Sequence, residues 1–367
     1  MKRILSVLLA IVILSVGLTA CAASENANNT ALASQSASEA APQSEIKPET
    51  QPETQPVPQS GKDEKSDKVV VYSAGPGGLS AGIAEAFEEE TGIKVELLQA
   101  TSGKILSKLE AEKENPVADV VVLATWSAAI GLKEAGMLQA YPEARNKEKL
   151  YPEFLDQDSQ IFGYSASALG ITYNTNLVKN PGKDWNDYTG ADWTGKVSLP
   201  DPSLSGSCMD FISGYICNCG DEGWQFFNDL KSNEASVDGA NKASLETVLT
   251  GSKSAVLMGV DYMAYSAKAK GEPVDIVYPT SGTVVNPRGA MILKSSQNVE
   301  NARLFIDFLL SDKAQDLVKK AYIIPGRSDI KCDNRANMDE ISLLKYDWPT
   351  MMSNQTQIIE KFASIFQ

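Results

Sequence analysis

The feature that most constrains the fold is a regular alternation between short apolar runs and helical patterns of apolar residues. Residues 69–72 form a β-branched run typical of a buried strand, and a glycine-rich turn follows them. Leu79, Ile83 and Phe87 then recur at helical spacing, before residues 94–98 alternate apolar and charged side chains as a strand does. Strands that alternate with helices form a parallel sheet with right-handed crossovers, so the pattern predicts an α/β fold.

The same alternation continues between residues 68 and 367. This body of about 300 residues is too long for one comfortable core and favours two lobes. Further strands are predicted at 119–123, 196–199, 255–260 and 274–278. Helices are predicted around 105–109, up to Gly136, at 207–219, 261–270 and 298–310, with a mostly helical end at 341–366.

The N-terminal 20 residues have the pattern of an export signal. Lys2 and Arg3 precede an apolar run at 4–16, and small residues then lead to Cys21. About 13 apolar residues are too few for a stable membrane-spanning helix, which needs about 20. Residues 1–20 are therefore predicted to be a signal peptide, which directs the protein outside the cytoplasmic membrane.

The end of this signal, Leu18-Thr19-Ala20-Cys21, resembles a bacterial lipobox. The resemblance implies that Cys21 is lipidated, becomes the mature N-terminus and attaches the protein to the membrane. The alternative is an ordinary secretory signal cut near Ala20 or Ala23, in which Cys21 is incidental.

Residues 21–67 are predicted to be a disordered linker behind this anchor. The segment contains mainly Ala, Ser, Asn, Gln, Glu, Pro and Thr, with almost no bulky apolar side chains, and repeats Glu-Thr-Gln-Pro at 49–52 and 53–56. Such a composition buries too little apolar surface to offset the entropy lost on ordering.

Charge and composition exclude several classes of protein. The chain has 33 Lys and Arg against 47 Asp and Glu, a net charge of −14, and no histidine. An acidic protein is a poor binder of nucleic acid or anionic lipid. Without histidine, Ser-His-Asp and Cys-His catalytic arrangements are impossible. The sequence therefore predicts a binding protein rather than an enzyme, and no cofactor.

Four cysteines lie in the body, at positions 208, 217, 219 and 332. Cys217 and Cys219 are two apart in a predicted helix and so face different ways, and the usual histidine partner of zinc is missing. The four are interpreted as buried small residues or as one disulfide, not as a metal site.

Small polar residues follow several predicted strands. They are Ser73, the run Thr101-Ser102-Gly103, the pair Thr125-Trp126, and the run Ser205-Gly206-Ser207 before a helix. Ligands of open α/β sheets bind beyond the carboxyl ends of the strands. Because helix starts present free backbone N–H groups, two facing starts are predicted to form an anion site without any lysine.

Several segments together resemble a known family. They are VVVYSAGPGGLSAGIAEAFEEETGIKV, ADVVVLA, ITYNT, DPSLSGS, GVDYMAYSAKAKGEPVDIVYP, AMILK and NARLFIDFLLSDKAQ. Their order and spacing over essentially all of 68–367 resemble an extracellular solute-binding protein of an ABC importer. The branch is the one with ferric-ion, 2-aminoethylphosphonate and hexose-phosphate binders.

The resemblance implies a two-lobed periplasmic-binding-protein-like fold, in which each lobe is a mostly parallel sheet flanked by helices. Two hinge crossings would lie near 171–175 and 279–283. Lobe one would then comprise 68–172 and 284–367, and lobe two 173–283. Ligand would bind in the cleft between them.

Site residues carried over from the family are assigned as follows. Ferric binders hold an anion on a helix start that matches Ser205-Gly206-Ser207, and hold iron on two tyrosines whose places are taken here by Asp261 and Tyr262. One phenol and one carboxylate are a thin set for ferric iron, although Tyr265 lies one helical turn further on. Asp261 is therefore expected to accept hydrogen bonds from hydroxyl or amine groups of a ligand. Trp126 is expected to supply a flat apolar wall, or else to be a core residue.

The resemblance thus implies a monomeric protein that captures a small anionic solute, an organic phosphate or phosphonate, and passes it to an ABC permease and ATPase. A ferric-ion binder that uses Tyr262 is the first alternative. A sensor component that presents its ligand to a receptor is an alternative from another class.

Overall fold

The computed structural model of the protein describes residues 67–366. The predicted signal peptide, Cys21 and the linker up to residue 66 lie outside the described residues. Within 67–366, no helix has the length and apolarity needed to cross a membrane.

Eleven strands and eleven α-helices lie in this described part. The strands are β1 (Lys68–Ser73), β2 (Lys94–Gln99), β3 (Val120–Leu123), β4 (Leu138–Gln139), β5 (Phe162–Asn174), β6 (Val197–Leu199), β7 (Ser236–Val237), β8 (Ala255–Val260), β9 (Val274–Val277), β10 (Val285–Leu293) and β11 (Ile324–Pro325). The helices are α1 (Gly77–Thr91), α2 (Ser102–Ala111), α3 (Trp126–Glu134), α4 (Gly206–Cys219), α5 (Asp221–Ser232), α6 (Asn241–Leu249), α7 (Asp261–Ala269), α8 (Val299–Leu309), α9 (Asp312–Lys320), α10 (Trp348–Ser353) and α11 (Gln355–Phe366).

The strand and helix predictions are confirmed to within a few residues at each end, except that the helical end predicted from 341 begins only at Trp348. Helix α1 illustrates why its boundary was predictable. It ends at Gly92, which has a positive φ of 73° and donates its N–H to the carbonyl of Glu88. Only glycine adopts this left-handed conformation readily, so Gly92 stops the helix and releases the chain into β2.

The sheet is mixed, with the order β2-β1-β3-β10-β5-β8-β6-β7. Its first half contains β2, β1 and β3 in parallel, with β10 antiparallel to β3. Its second half contains β8, β6 and β7, again parallel to one another. The expected α/β architecture is confirmed, with an antiparallel strand added to each half.

Strand β5 runs through both halves. Its beginning pairs with β10 and β11, and its end pairs with β8 and β9. Along β5 the partner strand changes between Ala168 and Leu169. The chain returns from β9 to β10 through residues 278–284. These two places lie at or close to the predicted crossings at 171–175 and 279–283.

Each half has its own hydrophobic core. On one face of the first half, Phe87 of α1 packs edge-to-face on Phe305 of α8, with ring centroids 5.1 Å apart. On the other face, Ile105 of α2 and Trp126 of α3 cover the strands. The core of the second half is aromatic and centres on Phe227 of α5, its neighbours on α4, and the end of β5.

The C-terminal helices differ from the expected assignment of all of 284–367 to lobe one. Leu344, Ile358 and Phe362 belong to the core of the second half. Phe362 lies 5.6 Å from Phe227, centroid to centroid. The amphipathic helix α11 buries its apolar face against α4 and α5, so the chain passes between the halves a third time, at 341–346.

Candidate functional site

The first turns of α3 and α4 meet at the junction of the two halves. A Cβ on Gly206 would lie 3.1 Å from Cγ2 of Thr125. One turn further along, the Ser127 hydroxyl donates a 3.0 Å hydrogen bond to Oδ1 of Asp210. Two helix N-termini, one from each half, are therefore in contact here, and each has free backbone N–H groups in its first turn.

The hydroxyls of Ser205 and Ser207 are engaged within this region. Ser205 Oγ accepts a 3.2 Å bond from the backbone N–H of Cys208, the usual role of a helix cap. It also donates a 2.9 Å bond to Oδ1 of Asn241, whose Nδ2 donates to Ser207 Oγ at 3.0 Å. The groups of this helix start that remain to meet an anion are backbone N–H groups, including that of Gly206.

Ser73 forms part of a tight turn after β1. Its hydroxyl lies 2.9 Å from that of Ser80 and accepts a 3.1 Å bond from the Gly75 N–H. A Cβ on Gly75 would lie 3.3 Å from the Tyr164 hydroxyl and 2.9 Å from the Ser80 hydroxyl. Glycine at this position therefore lets the turn approach Tyr164 closely.

The run Thr101-Ser102-Gly103 lies at the start of α2. Thr101 caps the helix by accepting from Lys104 N–H at 3.4 Å, and Ser102 Oγ accepts a 3.0 Å bond from Ala124 N–H. Ser102 thus holds the end of β3 in place. Thr101 and Gly103 are exposed.

Trp126 is a core residue. It is buried in the cluster between α2, α3 and the sheet, and a Cβ on Gly289 would lie 3.8 Å from its ring. The structure therefore agrees with the expectation that Trp126 is a core residue, and not with the expectation that it supplies a flat apolar wall.

Asp261 does not have a free oxygen for a ligand. Its Oδ2 accepts from Arg335 Nη2 at 2.6 Å, from the Tyr278 hydroxyl at 3.0 Å and from the Ala168 N–H at 3.0 Å. Its Oδ1 accepts from the Tyr262 N–H at 2.7 Å. The expected role in ligand binding is corrected, because a fully buried carboxylate needs a buried counter-charge, and Arg335 supplies it.

The same cluster changes the acidity of its phenol. Burial, and then the charge of Asp261, raise the pKa of Tyr278 well above its usual value. Tyr278 therefore stays protonated and donates to the carboxylate. This Asp261–Arg335 cluster joins β5, the start of α7, and the segments at 278 and 335.

Tyr262 lies between the cores of both halves and is half-buried. The guanidinium carbon of Arg288 lies 5.3 Å from the centre of its ring, which is a cation–π distance. Tyr265 is engaged elsewhere, since its hydroxyl accepts from the Ala336 N–H at 3.2 Å. Across residues 67–366, no group of three or more His, Cys, Asp or Glu side chains could hold a metal ion.

Arg288 is the central residue that sequence reasoning missed. It lies on β10, is 5% exposed, and has no hydrogen-bond partner for Nε or Nη1. Burial raises the pKa of Tyr164, and the positive charge of Arg288 opposes that rise. Since buried charges are nearly always paired, an unpaired buried guanidinium indicates a missing anion.

Three neighbours on the same face of the sheet also have an unpartnered side-chain oxygen. Arg288 pairs opposite Ser165 in the β10–β5 register, and Asn286 pairs opposite Ser167. Ser165 Oγ, Ser167 Oγ and Asn286 Oδ1 have no hydrogen bond. We call these four residues the Arg288 cluster. Asn286 Nδ2 also makes a long 3.5 Å contact with the carbonyl of Ser207, which connects the cluster to α4.

Two polar side chains of α4 continue this pattern. Asp210 Oδ2 and Ser213 Oγ are buried and unpartnered. Of the nine such side-chain atoms among residues 67–366, seven belong to the Arg288 cluster, Asp210 and Ser213. Native proteins partner the large majority of buried polar atoms, so these unpartnered atoms are candidates for contact with a polar ligand.

Other features of the described chain do not contribute to this place. A cavity of about 150 Å³ lined by Leu109, Val117 and Met137, and another of about 330 Å³ beside Tyr215 and Cys219, contain none of these residues. The four body cysteines are free thiols, and burial raises the pKa of Cys208.

Comparison with known proteins shows the family and the fold of the chain. The family model for bacterial extracellular solute-binding proteins matches residues 115–352. The iron uptake protein A1 of Synechocystis sp. is 28% identical over 243 residues, which cover 62% of this chain and 67% of that protein. A Salmonella typhimurium periplasmic protein named for 2-aminoethylphosphonate binding is 23% identical over 261 residues, covering 67% and 73%.

A solved structure shows the likeness of the fold. The periplasmic binding protein AfuA from Actinobacillus pleuropneumoniae, with exogenous fructose-6-phosphate bound, superposes with a TM-score of 0.71 at 24% identity. The match covers 82% of this chain and 98% of AfuA. Together these findings confirm the expected two-lobed fold and the resemblance to iron, phosphonate and sugar-phosphate binding proteins.

Proposed function

The chain belongs to the bacterial extracellular solute-binding proteins that serve ABC importers, and we propose that it captures a small organic phosphate or phosphonate between the two halves of its sheet. Arg288 is the observation that carries this proposal. Its buried guanidinium has two unpartnered nitrogens, and its neighbour in the Arg288 cluster, Asn286, contacts the carbonyl of Ser207 at the start of α4. The guanidinium and the backbone N–H groups of the α4 start are donors that suit an oxyanion. Asp210 and the amide oxygen of Asn286 are acceptors nearby and suit a different part of a ligand.

A phosphoryl or phosphonyl group suits these donors in shape as well as in charge. The planar guanidinium donates hydrogen bonds to two oxygens at once, and backbone N–H groups at a helix start donate to the third oxygen. The Ser165 and Ser167 hydroxyls have no other partner and add two donors on the same face of the sheet. The net charge of −14 does not oppose this, because local donors outweigh a distant, screened field.

Ferric iron is less well supported by the same residues. Asp261 is engaged with Arg335, so Tyr262 alone remains of the two carried-over iron ligands. Arg288 lies over the ring of Tyr262, where its positive charge disfavours a trivalent cation. The iron-uptake relative therefore supports the family and the fold more than the ligand.

Calorimetric titration with n-propylphosphonate tests the proposal. Arg288→Gln should weaken binding about a hundredfold or more, since two charge-assisted hydrogen bonds are lost. Arg145→Gln is the matched control, because that arginine is exposed and pairs only with Asp307. Binding that survives Arg288→Gln, or a protein that binds ferric citrate but no phosphorylated or phosphonylated compound, would contradict the proposal.

We further propose that ligand binding brings lobes together about the crossings near 171–175 and 279–283. Lobe one would comprise 68–172 and 284–340, and lobe two 173–283 with 341–367. The core that Leu344, Ile358 and Phe362 join supports the revised C-terminal limit. Solution scattering of a monomer should give a smaller radius of gyration with saturating ligand, and identical profiles would count against closure.

Attachment to the membrane through lipid on Cys21 is also a proposal, supported by the lipobox pattern. Cys21→Ala should release the protein into the medium or leave the signal uncleaved. Unchanged membrane retention and fatty-acid labelling would contradict it.

A further inference from the structure

Asp210 is a buried carboxylate whose charge nothing in the described chain balances. It lies in the second turn of α4 and is 1% exposed. Oδ1 accepts from the Ser127 hydroxyl at 3.0 Å and from Gln355 Nε2 at 3.4 Å, both neutral groups. Oδ2 has no partner.

The contrast with Asp261 indicates that this is not an ordinary core carboxylate. Asp261 is just as buried, yet it has Arg335 and three further donors. A buried carboxylate that served only the stability of the fold would have a counter-charge and hydrogen-bond donors, as Asp261 has. Without them, an apolar residue at the same position would be more stable. Asp210 instead keeps one oxygen unpartnered beside the meeting point of two helix starts.

A short chain of contacts connects Asp210 with the Arg288 cluster. Asn286, which belongs to that cluster, contacts the carbonyl of Ser207 at 3.5 Å. Asp210 follows Ser207 by three residues on α4, and residues three apart lie on the same face of a helix, about 5–6 Å from each other. An unpaired positive charge and an unpaired negative charge are thus both connected to the start of α4 at Ser207.

These two charges do not neutralise each other, since Arg288 has no ion pair and neither does Asp210 among residues 67–366. A ligand that carries only a phosphoryl group satisfies Arg288 and leaves Asp210 unpartnered. A ligand with an oxyanion at one end and a cation at the other satisfies both.

We propose that Asp210 is a specificity-determining residue that binds the ammonium group of a zwitterionic ligand, an amine-bearing phosphonate or phosphate whose oxyanion binds Arg288. This inference rests on the proposed function and adds the identity of the ligand's other end. Burial raises the pKa of Asp210 to about 7, which reflects the same lack of a counter-charge.

Ser127 has a positioning role in this arrangement. Ser127 lies on α3, and its hydroxyl donates a hydrogen bond to Oδ1 of Asp210. The carboxylate is therefore fixed between the two halves of the sheet. Oδ2 is then the oxygen that meets the ligand.

The test compares two ligands of nearly identical shape, 2-aminoethylphosphonate and n-propylphosphonate, by calorimetric titration at pH 8. The wild-type protein should prefer the amine about tenfold to a hundredfold, the value of one charge-assisted hydrogen bond. Asp210→Asn should reduce that preference to about threefold or less and leave n-propylphosphonate binding as tight or tighter. Asp229→Asn, at a half-buried position of α5 whose carboxylate, among residues 67–366, bonds only Gln225 at 2.7 Å, should leave the preference unchanged.

The two proposals fail in different ways. Equal binding of both ligands by the wild-type protein, or an amine preference that survives Asp210→Asn, overturns the role of Asp210 but leaves the anion site. Loss of both ligands in Asp210→Asn, with an unchanged melting temperature, also overturns the specificity role. Absence of n-propylphosphonate binding in the wild-type protein contradicts the anion site itself, and with it this inference.

Discussion

Two buried arginines in this protein have opposite surroundings. The Arg335 side chain is fully buried and pairs with the fully buried Asp261 at 2.6 Å. Arg288 is nearly as buried, and two of its nitrogens have no partner. Both lie close to the segments that connect the two halves of the sheet.

The difference between the two arginines distinguishes a residue that stabilises the fold from a residue that is available to bind a ligand. Around Asp261, Tyr278 and the Ala168 N–H complete the hydrogen bonds, so nothing is left to offer to a solute. Around Arg288, the neighbouring hydroxyls and amide oxygen are as unpartnered as the guanidinium. A complete buried polar cluster specifies structure, whereas an incomplete one weakens the free protein and is retained where something binds.

The largest effect is expected from breaking the complete cluster. Arg335→Leu leaves the Asp261 charge buried without a counter-ion and should lower the free energy of unfolding by about 3–5 kcal/mol. Urea denaturation measures this. The relative affinities for different phosphonates should be unchanged in whatever protein remains folded.

The double variant Asp261→Leu with Arg335→Leu is the control for this prediction. It removes both charges and should lose less stability than Arg335→Leu alone. Equal losses of unfolding free energy in the single and the double variant would show that the unpaired charge of Asp261 is not the cause of the destabilisation.

The next largest effect is expected in the pH dependence of the free energy of unfolding, because of Asp210. Its pKa is about 7 in the folded protein, because of burial, and about 3.9 when unfolded. The folded state therefore holds the proton more tightly, so protonation of Asp210 contributes stability that is present below about pH 4. This contribution is lost as pH rises towards about 7, with a slope of at most about 1.4 kcal/mol per pH unit.

Urea denaturation between pH 4 and pH 8 measures this slope, with Asp210→Asn as the reference. The groups that face Asp210 are Ser127, Gln355 and Tyr346, and the pKa of Tyr346 is raised to about 12, so none of them titrates in this range. Parallel curves for wild type and Asp210→Asn would contradict an uncompensated carboxylate.

The incomplete cluster should respond in the opposite direction to the complete one. Arg288→Met removes a buried charge that has no partner, so the ligand-free protein should gain about 1–3 kcal/mol of stability. Thermal denaturation without ligand measures this gain, and the same variant should lose the stabilisation that n-propylphosphonate gives the wild type. A loss of stability comparable to that of Arg335→Leu would mean that Arg288 is structural after all.

How much of the fold can be predicted from the sequence depends on how far apart along the chain the interacting residues lie. The strand at 69–72 and the helix before Gly92 depend on local patterns, and both were predicted. Strand β10 was not identified as a strand, because Pro287 and Arg288 interrupt its apolar run. Strand β5 is rich in Ser, Ala and Gly and lacks alternation, so it gave no strand signal either.

The candidate site shows the same limit. The helix starts at Thr101, Thr125 and Ser205 could be predicted, because capping residues after strands are a local feature; which two of them meet depends on the fold. The pairing of Asp261 with Arg335 joins residues 74 positions apart, and no local pattern reveals it. Arg288 likewise becomes a candidate only once β10 places it opposite Ser165 on a buried face.

The smallest effect is expected at Ser205, a complete group directly beside the incomplete ones. If this hydroxyl donated a charge-assisted hydrogen bond to the anion, its loss would weaken binding about tenfold to a hundredfold. In the structure, however, Ser205 Oγ caps the Cys208 N–H and bonds Asn241. Ser205→Ala should therefore lower the free energy of unfolding by about 1 kcal/mol, the usual value of a helix cap, and weaken n-propylphosphonate binding less than tenfold. Ser205→Thr keeps the hydroxyl and should restore most of both. If Ser205→Ala instead weakens binding as much as Arg288→Gln while stability is unchanged, the hydroxyl binds the ligand directly, and the separation between complete and incomplete groups does not hold at this helix start.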